Sequence, residues 1–524
     1  MPRVLIADPI AEAGIARLRE HAEVDVQLKQ SPAALVARIP EYDALIVRSE
    51  TRVDASVIQA GTRLKVIGRA GAGVDNIDVE AATRAGVLVV NAPSGNTIAA
   101  TEHTMAMMLA LARHIPQADQ AVKAGRWERS RFLGFELRDK VLGVVGLGSI
   151  GREVAHRAQA FGMRVIATDP VLSDERASQL NVKLVPFNQL MAEADVITLH
   201  VPLTRETHHL VDARALALTK PGVRLINVAR GGIVDESALR DALRDGHVAG
   251  AAIDVFEQEP PGENPLLSLP QLITTPHLGA STEEAQISVA LEITEQVIAV
   301  LDGGLPRFSL NAPVALPEAM AFLRPFIPVA EGIGRFYAQV GKQPASRIQV
   351  GYVGEIANYD CSVLTAALLT AFLGRFSAER VNPVNARTVA AAHGITVVEQ
   401  RGAHATEFAN LISLEAIGEH GTTRVGGTLL LNEPHIVTFD DFRIDLVPQG
   451  TFLMSWHADR PGIVGAIGTF LGQKNINIAS MQVGRDRPRG DAVMILSVDD
   501  PVPESILADI RRIPGMADVL SVSL

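Results

Sequence analysis

The stretch Val141-Leu-Gly-Val-Val-Gly-Leu-Gly-Ser-Ile-Gly151 decides the fold. An apolar run, Val141–Val145, leads into three glycines spaced Gly146-x-Gly148-x-x-Gly151, and a helical stretch continues to about Gly162. In a strand–turn–helix context each glycine has a separate task. The first allows the tight turn, the second lets a pyrophosphate approach the backbone, and the third packs helix on strand. Free N–H groups of the helix N-terminus, at Ser149 and Ile150, then face the phosphates. Asp169 closes the next apolar run, 18 residues beyond Gly151. A carboxylate there accepts both ribose hydroxyls and repels a 2′-phosphate. The next residue is Pro170 and the nearest downstream arginine is Arg176, so the expected cofactor is NAD rather than NADP.

Outward from this turn, short β-branched runs alternate with helical stretches up to residue 305 or so, the pattern of βαβ units and parallel sheets. One set comprises Val4–Ala7, Val24–Leu28, Ala44–Val47, Val66–Gly68 and Val87–Val90. The other comprises Val141–Val145, Arg164–Thr168, Val196–His200, Arg224–Val228, Ala249–Ile253 and Leu272–Thr275. The expected fold class is therefore α/β, with two doubly wound parallel-sheet domains of five and six strands. Helical stretches Ile98–Arg113 and Ser281–Leu301 join them. This predicts a Rossmann-like nucleotide domain (99–281) inserted in a flavodoxin-like substrate domain (1–98 and 282–308), with a cleft between. After a linker at Asn311-Ala-Pro313, residues 315–447 read as an α+β domain. It has a helical stretch at Ser362–Phe372 and strands at Gln349–Val353, Ala405–Ser413 and Thr428–Leu431. Residues 450–524 show the ferredoxin-like βαββαβ order.

Composition narrows the function. The chain has 524 residues, 47% hydrophobic and 20% charged, enough for the cores of three or four domains. A net charge of −11 with 4% aromatics argues against a nucleic-acid groove or a polybasic membrane anchor. No apolar run reaches the roughly 18 residues that span a bilayer, and the N-terminus lacks the apolar core of a signal peptide. Cys361 is the single cysteine, which leaves no internal disulfide and no thiolate metal cluster. A cytoplasmic protein without a metal site is expected.

In doubly wound folds ligands sit beyond the carboxyl ends of the strands. Arg230, Glu259 and His277 follow three such ends. Arginine's planar fork can hold a carboxylate. Histidine can take a hydroxyl proton while hydride leaves. A carboxylate beside the imidazole fixes its tautomer and favours its charged form. Asp254, at another strand end, is placed to hold a nicotinamide amide or to cap a helix. The segments Asn227-Val-Ala-Arg-Gly-Gly-Ile-Val-Asp-Glu236, Asp254-Val-Phe-Glu-Gln-Glu-Pro260 and Pro276-His-Leu-Gly-Ala-Ser281 resemble the signatures of the NAD-dependent D-2-hydroxyacid dehydrogenases. The resemblance implies a triad of Arg230, Glu259 and His277. It also implies a cofactor site of Gly146, Gly148, Ser149, Ile150, Gly151, Asp169, Val228, Ala229, Asp254, Gly279 and Ala280.

With its two extra C-terminal units the chain resembles the long form of the branch of that family that acts on a phosphorylated hydroxyacid. That implies oxidation of 3-phospho-D-glycerate to 3-phosphooxypyruvate, the first step toward L-serine. Another D-2-hydroxyacid or 2-oxoacid (hydroxypyruvate, glyoxylate, 2-oxoglutarate) and a nucleotide-sensing interaction protein are the alternatives. Arg48, Ser49 and Arg69 end two strands of the first set, and Gly71 opens a glycine turn whose N–H groups suit an anion. Ser94 and Asn96 follow the fifth strand and are expected in the same cleft. Arg129 and Arg131, beside Trp127, are candidates for reaching a neighbouring subunit of a homo-oligomer. The segment Trp456-His-Ala-Asp-Arg-Pro-Gly-Ile-Val464 looks like the first turn of an ACT domain. It implies an amino-acid effector, L-serine, near His457, Asp459 and Asn477. The pair His208-His209 reads as a surface loop, and Cys361 as inert.

Overall fold

The computed structural model describes residues 1–524 apart from 314–316, 342–343, 378–379, 403–406 and 420. The first five strands are β1 (Arg3–Ile6), β2 (Glu23–Val26), β3 (Ala44–Val47), β4 (Val66–Arg69) and β5 (Leu88–Asn91), all parallel in the order β2-β1-β3-β4-β5. That is the flavodoxin-type order. The continuous Val/Ile/Leu runs of β1, β3, β4 and β5 are buried on both faces, as parallel strands require. Helix Glu283–Leu301 covers one face, with Val289, Ile293 and Val297 in the core. Gly68 makes this possible, because a Cβ there would come within 2.9 Å of Val297 Cγ2. The chain thus returns to the first sheet after building the second.

The second sheet has seven strands where six were expected. They are β6 (Val141–Val145), β7 (Arg164–Thr168), β8 (Lys183–Leu184), β9 (Val196–Leu199), β10 (Val223–Asn227), β11 (Val248–Ile253) and β12 (Leu272–Thr274). Their order is β12-β11-β10-β9-β6-β7-β8. The unforeseen member, β8, is an edge strand of two residues, too short to show a period of its own. Strand order reverses at β6, between β7 and β9, so a crevice opens beyond the carboxyl end of β6 where the glycine turn lies.

The third sheet runs β14-β13-β15-β16-β17-β18, from β13 (Arg347–Gly354), β14 (Thr396–Gly402), β15 (Asn410–Gly418), β16 (Gly421–Leu430), β17 (Glu433–Phe439) and β18 (Phe442–Leu446). Only its outline was expected. The strand placed at Ala405–Ser413 is found at Asn410–Gly418, and residues 405 and 406 lie outside the described residues. Helices Ile327–Val340 and Ser362–Leu373 pack on this sheet. Gly427 in β16 lets Val329 and Ile333 of the first helix approach.

The last unit follows the expected βαββαβ order. Strands β19 (Thr451–Ala458), β20 (Ile478–Arg485), β21 (Asp491–Val498) and β22 (Met516–Ser523) form an antiparallel sheet in the order β20-β21-β19-β22. Both faces of β19 are occupied. Leu453 packs under helices Ile463–Gln473 and Glu504–Ile510, whereas Phe452 and Met454 join the core of the preceding domain.

Candidate active site

A cleft of about 630 Å³ lies between the first two sheets. Arg48, Ser49, Arg69, Gly71, Asn96, Arg230, Glu259, His277 and Ala280 all line it. Residues separated by more than two hundred positions are thereby brought to one surface. Ser94 is exposed outside this lining, its carbonyl accepting the Thr97 amide, so its expected place in the cleft is corrected.

The acid–base pair is formed. His277 Nδ1 lies 2.7 Å from Glu259 Oε2, and Glu259 Oε1 accepts the Phe256 amide at 3.1 Å. The Nδ1 proton is therefore directed at the carboxylate, which leaves Nε2 as the basic nitrogen. Burial works to raise the Glu259 pKa, but the bonds from His277 and Phe256 outweigh it and hold the carboxyl below its ordinary range.

His277 adopts a left-handed backbone, φ 56°. Asp254 holds it there. The Asp254 carbonyl accepts the His277 amide at 2.8 Å, and its carboxylate accepts Leu278 N (2.7 Å), Gly279 N (2.8 Å) and Thr275 Oγ1 (2.6 Å). His103, from helix Thr97–Arg113, adds Nε2 at 3.3 Å from the same carboxylate and 3.0 Å from Thr275 Oγ1. Asp254 is fully buried. It anchors the loop that carries His277.

Three arginines meet here. Arg230 points its Nε at Asp75 Oδ2 (3.1 Å) and donates from Nη1 to the Ala229 carbonyl (2.6 Å). Arg69 is largely buried, and burial first, then the neighbouring Arg230 charge, lowers its pKa to about 10 against the opposing pull of Asp75. Arg69 Nε and Asn96 Oδ1 are both buried with no hydrogen-bond partner. Unsatisfied polar atoms facing a cleft mark a place for a polar ligand.

The nucleotide crevice fits a dinucleotide. Gly146 has φ +90°, and a Cβ on it would strike the His200 carbonyl at 2.6 Å. A Cβ at Gly151 would collide with the Gly146 carbonyl, whereas Gly148 faces open space. Helix Ser149–Ala160 starts at Gly148 with no side-chain cap, leaving its first N–H groups for an anion. Ile150 packs against the core below the turn. Asp169 accepts Leu147 N, Val171 N and Leu172 N, at 2.8, 2.9 and 3.0 Å. Burial favours the neutral Asp169 carboxyl, but these donors together keep it ionised below the usual carboxylate range. Val228 and Ala229 follow β10, where Asn227 pins the turn by accepting Ala229 N and donating to the Arg230 carbonyl. Gly279 sits close against Val228.

Sequence reading missed Asp75, Asn76, His103, Asn227 and Thr275. Asp75 and Asn76 stand in Gly71-Ala-Gly-Val-Asp-Asn76, where acid and amide pass for ordinary turn residues. The residues expected around an effector have other hydrogen-bond partners here. His457 is buried with Nδ1 against the Ala458 carbonyl and Nε2 unpartnered. Asp459 accepts Arg489 N and pairs with Arg485, whereas Asn477 donates to Asp499. Arg131 pairs with Glu128 on the surface, and Trp127 is 78% exposed. His209 pairs with Glu257 at the surface, and among the described residues no His/Cys/Asp/Glu cluster suits a metal. Cys361 is buried and its thiol is pushed up to about 12 by that burial. No helix among the described residues is long and apolar enough to cross a membrane.

A dinucleotide crevice beside an Arg–Glu–His cleft defines a nicotinamide-dependent dehydrogenase of 2-hydroxyacids. Comparison with known proteins agrees and goes further. The family described as D-isomer specific 2-hydroxyacid dehydrogenase, NAD binding domain, matches residues 105–279. The D-3-phosphoglycerate dehydrogenase intervening domain matches 322–440, and the ACT domain 452–515. The D-3-phosphoglycerate dehydrogenase of Synechocystis sp. is 48% identical, covering 100% of this chain and 95% of that protein. The enzyme of the same name from Archaeoglobus fulgidus is 44% identical over 100% of both. Among solved structures, the D-lactate dehydrogenase of Aquifex aeolicus, complexed with NAD and lactic acid, aligns with a TM-score of 0.53 at 28% identity. It covers 57% of this chain and 96% of its own. The chain belongs to the D-3-phosphoglycerate dehydrogenases, within the D-isomer specific 2-hydroxyacid dehydrogenase family.

Proposed function

We propose that the chain oxidises 3-phospho-D-glycerate to 3-phosphooxypyruvate with NAD. The observation that carries this reading is the meeting of Arg48, Arg69 and Arg230 in the cleft that also holds His277 and Glu259. A substrate with a carboxylate near one end and a phosphate at the other supplies opposite charge to all three arginines. Gly148, the first turn of helix Ser149–Ala160 and Asp169 are the groups that would hold NAD. When bound, NAD supplies the hydride acceptor.

His277 Nε2 takes the proton of the C2 hydroxyl as the C2 hydrogen departs as hydride. The new imidazolium is stabilised by Glu259 at 2.7 Å. Arg230, fixed through Nε and Nη1, turns its remaining N–H groups to the substrate carboxylate and polarises the reacting carbon–oxygen bond. Arg48, Arg69 and the backbone at Gly71 take the phosphate. In the reverse direction the same imidazolium returns its proton.

The C-terminal ACT unit is read as an amino-acid sensor, with L-serine, the end product of this route, as effector. Exposed Trp127 and Leu133, at 78% and 87%, favour a homo-oligomer contact through this arm. The test is NADH oxidation with 3-phosphooxypyruvate, hydroxypyruvate and 2-oxoglutarate, each with and without L-serine. A kcat/KM at least about 100-fold higher for the phosphorylated acid is expected, as two charge-assisted contacts supply that much selectivity. Equal turnover of an unphosphorylated acid would overturn the substrate. An unchanged rate with serine would remove the effector.

A further inference from the structure

The turn Gly71-Ala-Gly-Val-Asp-Asn76 contacts all three cleft arginines. Gly71, at φ +152°, receives the Arg69 guanidinium where a Cβ would otherwise stand. Gly73 does the same for Arg230 Nη2. Asp75 then takes Arg230 Nε at 3.1 Å, a bond from the nucleotide domain to a residue 155 positions earlier. Asn76 faces the other way. Its Nδ2 donates to the Arg48 carbonyl at 2.7 Å and to the Thr51 carbonyl at 2.6 Å, and its own carbonyl accepts Val53 N at 2.8 Å. From the far side Asp8 closes the same loop, accepting Arg48 N and Thr51 N at 2.6 and 3.1 Å.

We propose that Asp75 and Asn76 are positioning residues which together set the span between the carboxylate-binding Arg230 and the phosphate-binding Arg48. Two adjacent backbone positions fix one arginine each, so the distance between the two anionic ends of an acceptable substrate is built into a single dipeptide. Asp75 acts on the side chain of Arg230. By holding Nε, beside the Nη1 bond to the Ala229 carbonyl, it leaves the remaining Nη N–H groups for a carboxylate. The substrate therefore adds to this bond rather than displacing it. Asn76 acts on the backbone that carries Arg48, through its bonds to the Arg48 and Thr51 carbonyls. The two residues accordingly serve opposite ends of one ligand.

This inference rests on the reading of Arg48 as a phosphate ligand, and the experiment separates the two. The variants Asp75→Ala, Asp75→Asn, Asn76→Ala and Arg48→Ala are compared with the parent full-length chain for reduction of 3-phosphooxypyruvate and hydroxypyruvate. NADH binding, followed by fluorescence, reports that each variant is folded. Asp75→Ala is expected to raise KM about tenfold for both acids, a loss of about 1.4 kcal/mol at the shared carboxylate end. Asp75→Asn keeps an acceptor for Nε and should recover part of it. Asn76→Ala is expected to raise KM for the phosphorylated acid by a similar factor and leave hydroxypyruvate unchanged, reproducing Arg48→Ala in weaker form. A general loss of stability cannot produce that split. If Arg48→Ala shows the split and Asn76→Ala affects both acids equally, the positioning role is wrong. If Arg48→Ala shows no split either, the phosphate reading itself has failed.

Discussion

Arg69 carries its charge under protest. Burial first, then the charges of Arg230 and Arg48, lower its pKa from the usual guanidinium range to about 10. For a base, a depressed value means the folded protein without ligand disfavours the charged form. A bound phosphate restores the balance, so anion affinity is fully present below pH 10 and is lost as pH rises through about 10. The affinity for 3-phospho-D-glycerate, measured calorimetrically from pH 8 upward, should weaken toward about tenfold per unit beyond that point. Arg69→Gln should bind weakly and with a flat profile. A parent affinity constant to pH 11 would show that Arg69 does not face the anion. At this scale the sequence was legible where chemistry is carried by residue type. Arg48, Arg69, Arg230, Glu259 and His277 all line the cleft. Asp75 and Asn76 were not, since their partners lie 155 and 28 residues away and only tertiary structure brings them together.

Among the elements, the loop after β12 carries a left-handed residue into the cleft. His277 holds φ 56° at the centre of the site, and Asp254 supplies the bonds that keep it there. Burial works to raise the Asp254 pKa, yet bonds from His103, Thr275 and Leu278 carry it below the ordinary value. A carboxyl with a depressed folded pKa stabilises above its unfolded pKa of about 3.9, and that contribution disappears as pH falls through the folded value. Asp254→Asn leaves at least one buried N–H poorly paired and should cost about 2 kcal/mol at neutral pH. The difference in Tm between variant and parent should shrink as pH falls below the ordinary carboxylate range. A difference that does not change with pH would mean that ionised Asp254 is not what holds the loop. The elements themselves were readable wherever one period ran long enough. Helix Ile463–Gln473 starts and stops where its apolar spacing says. Strand β8, with two residues, gave no such signal, and of β16 only the end after Gly426 and Gly427 was expected, as Thr428–Leu431, because the two glycines break its alternation.

Across the whole molecule, the catalytic cleft and the C-terminal units are joined by few bonds. Every residue lining the cleft precedes residue 313. The linker is tied down by Asn311, which accepts Val89 N at 2.8 Å and donates to the Val87 carbonyl at 2.9 Å. The intervening domain touches the first sheet through Asn382, whose Nδ2 donates to the Gly86 carbonyl at 2.6 Å. By contrast the ACT sheet is not separable from its neighbour, because Phe452, Met454, Val493, Ile495 and Val522 complete the core built on Phe336 and Phe439. Sequence could not show this, since the apolar face of β19, with Phe452, Met454 and Trp456, does not itself say which domain covers it. The two cuts should therefore behave oppositely. A chain ending at residue 313 should retain NADH oxidation within about tenfold of the parent, because no cleft group is removed. A chain ending at residue 449 loses the cover over that shared core and should bind a hydrophobic dye and aggregate, despite being the longer of the two. If the longer truncation stays monodisperse and dye-negative, the ACT sheet is a detachable unit. Loss of the serine response on removing it would then be a clean assignment of the sensor rather than a consequence of damage to the domain beneath.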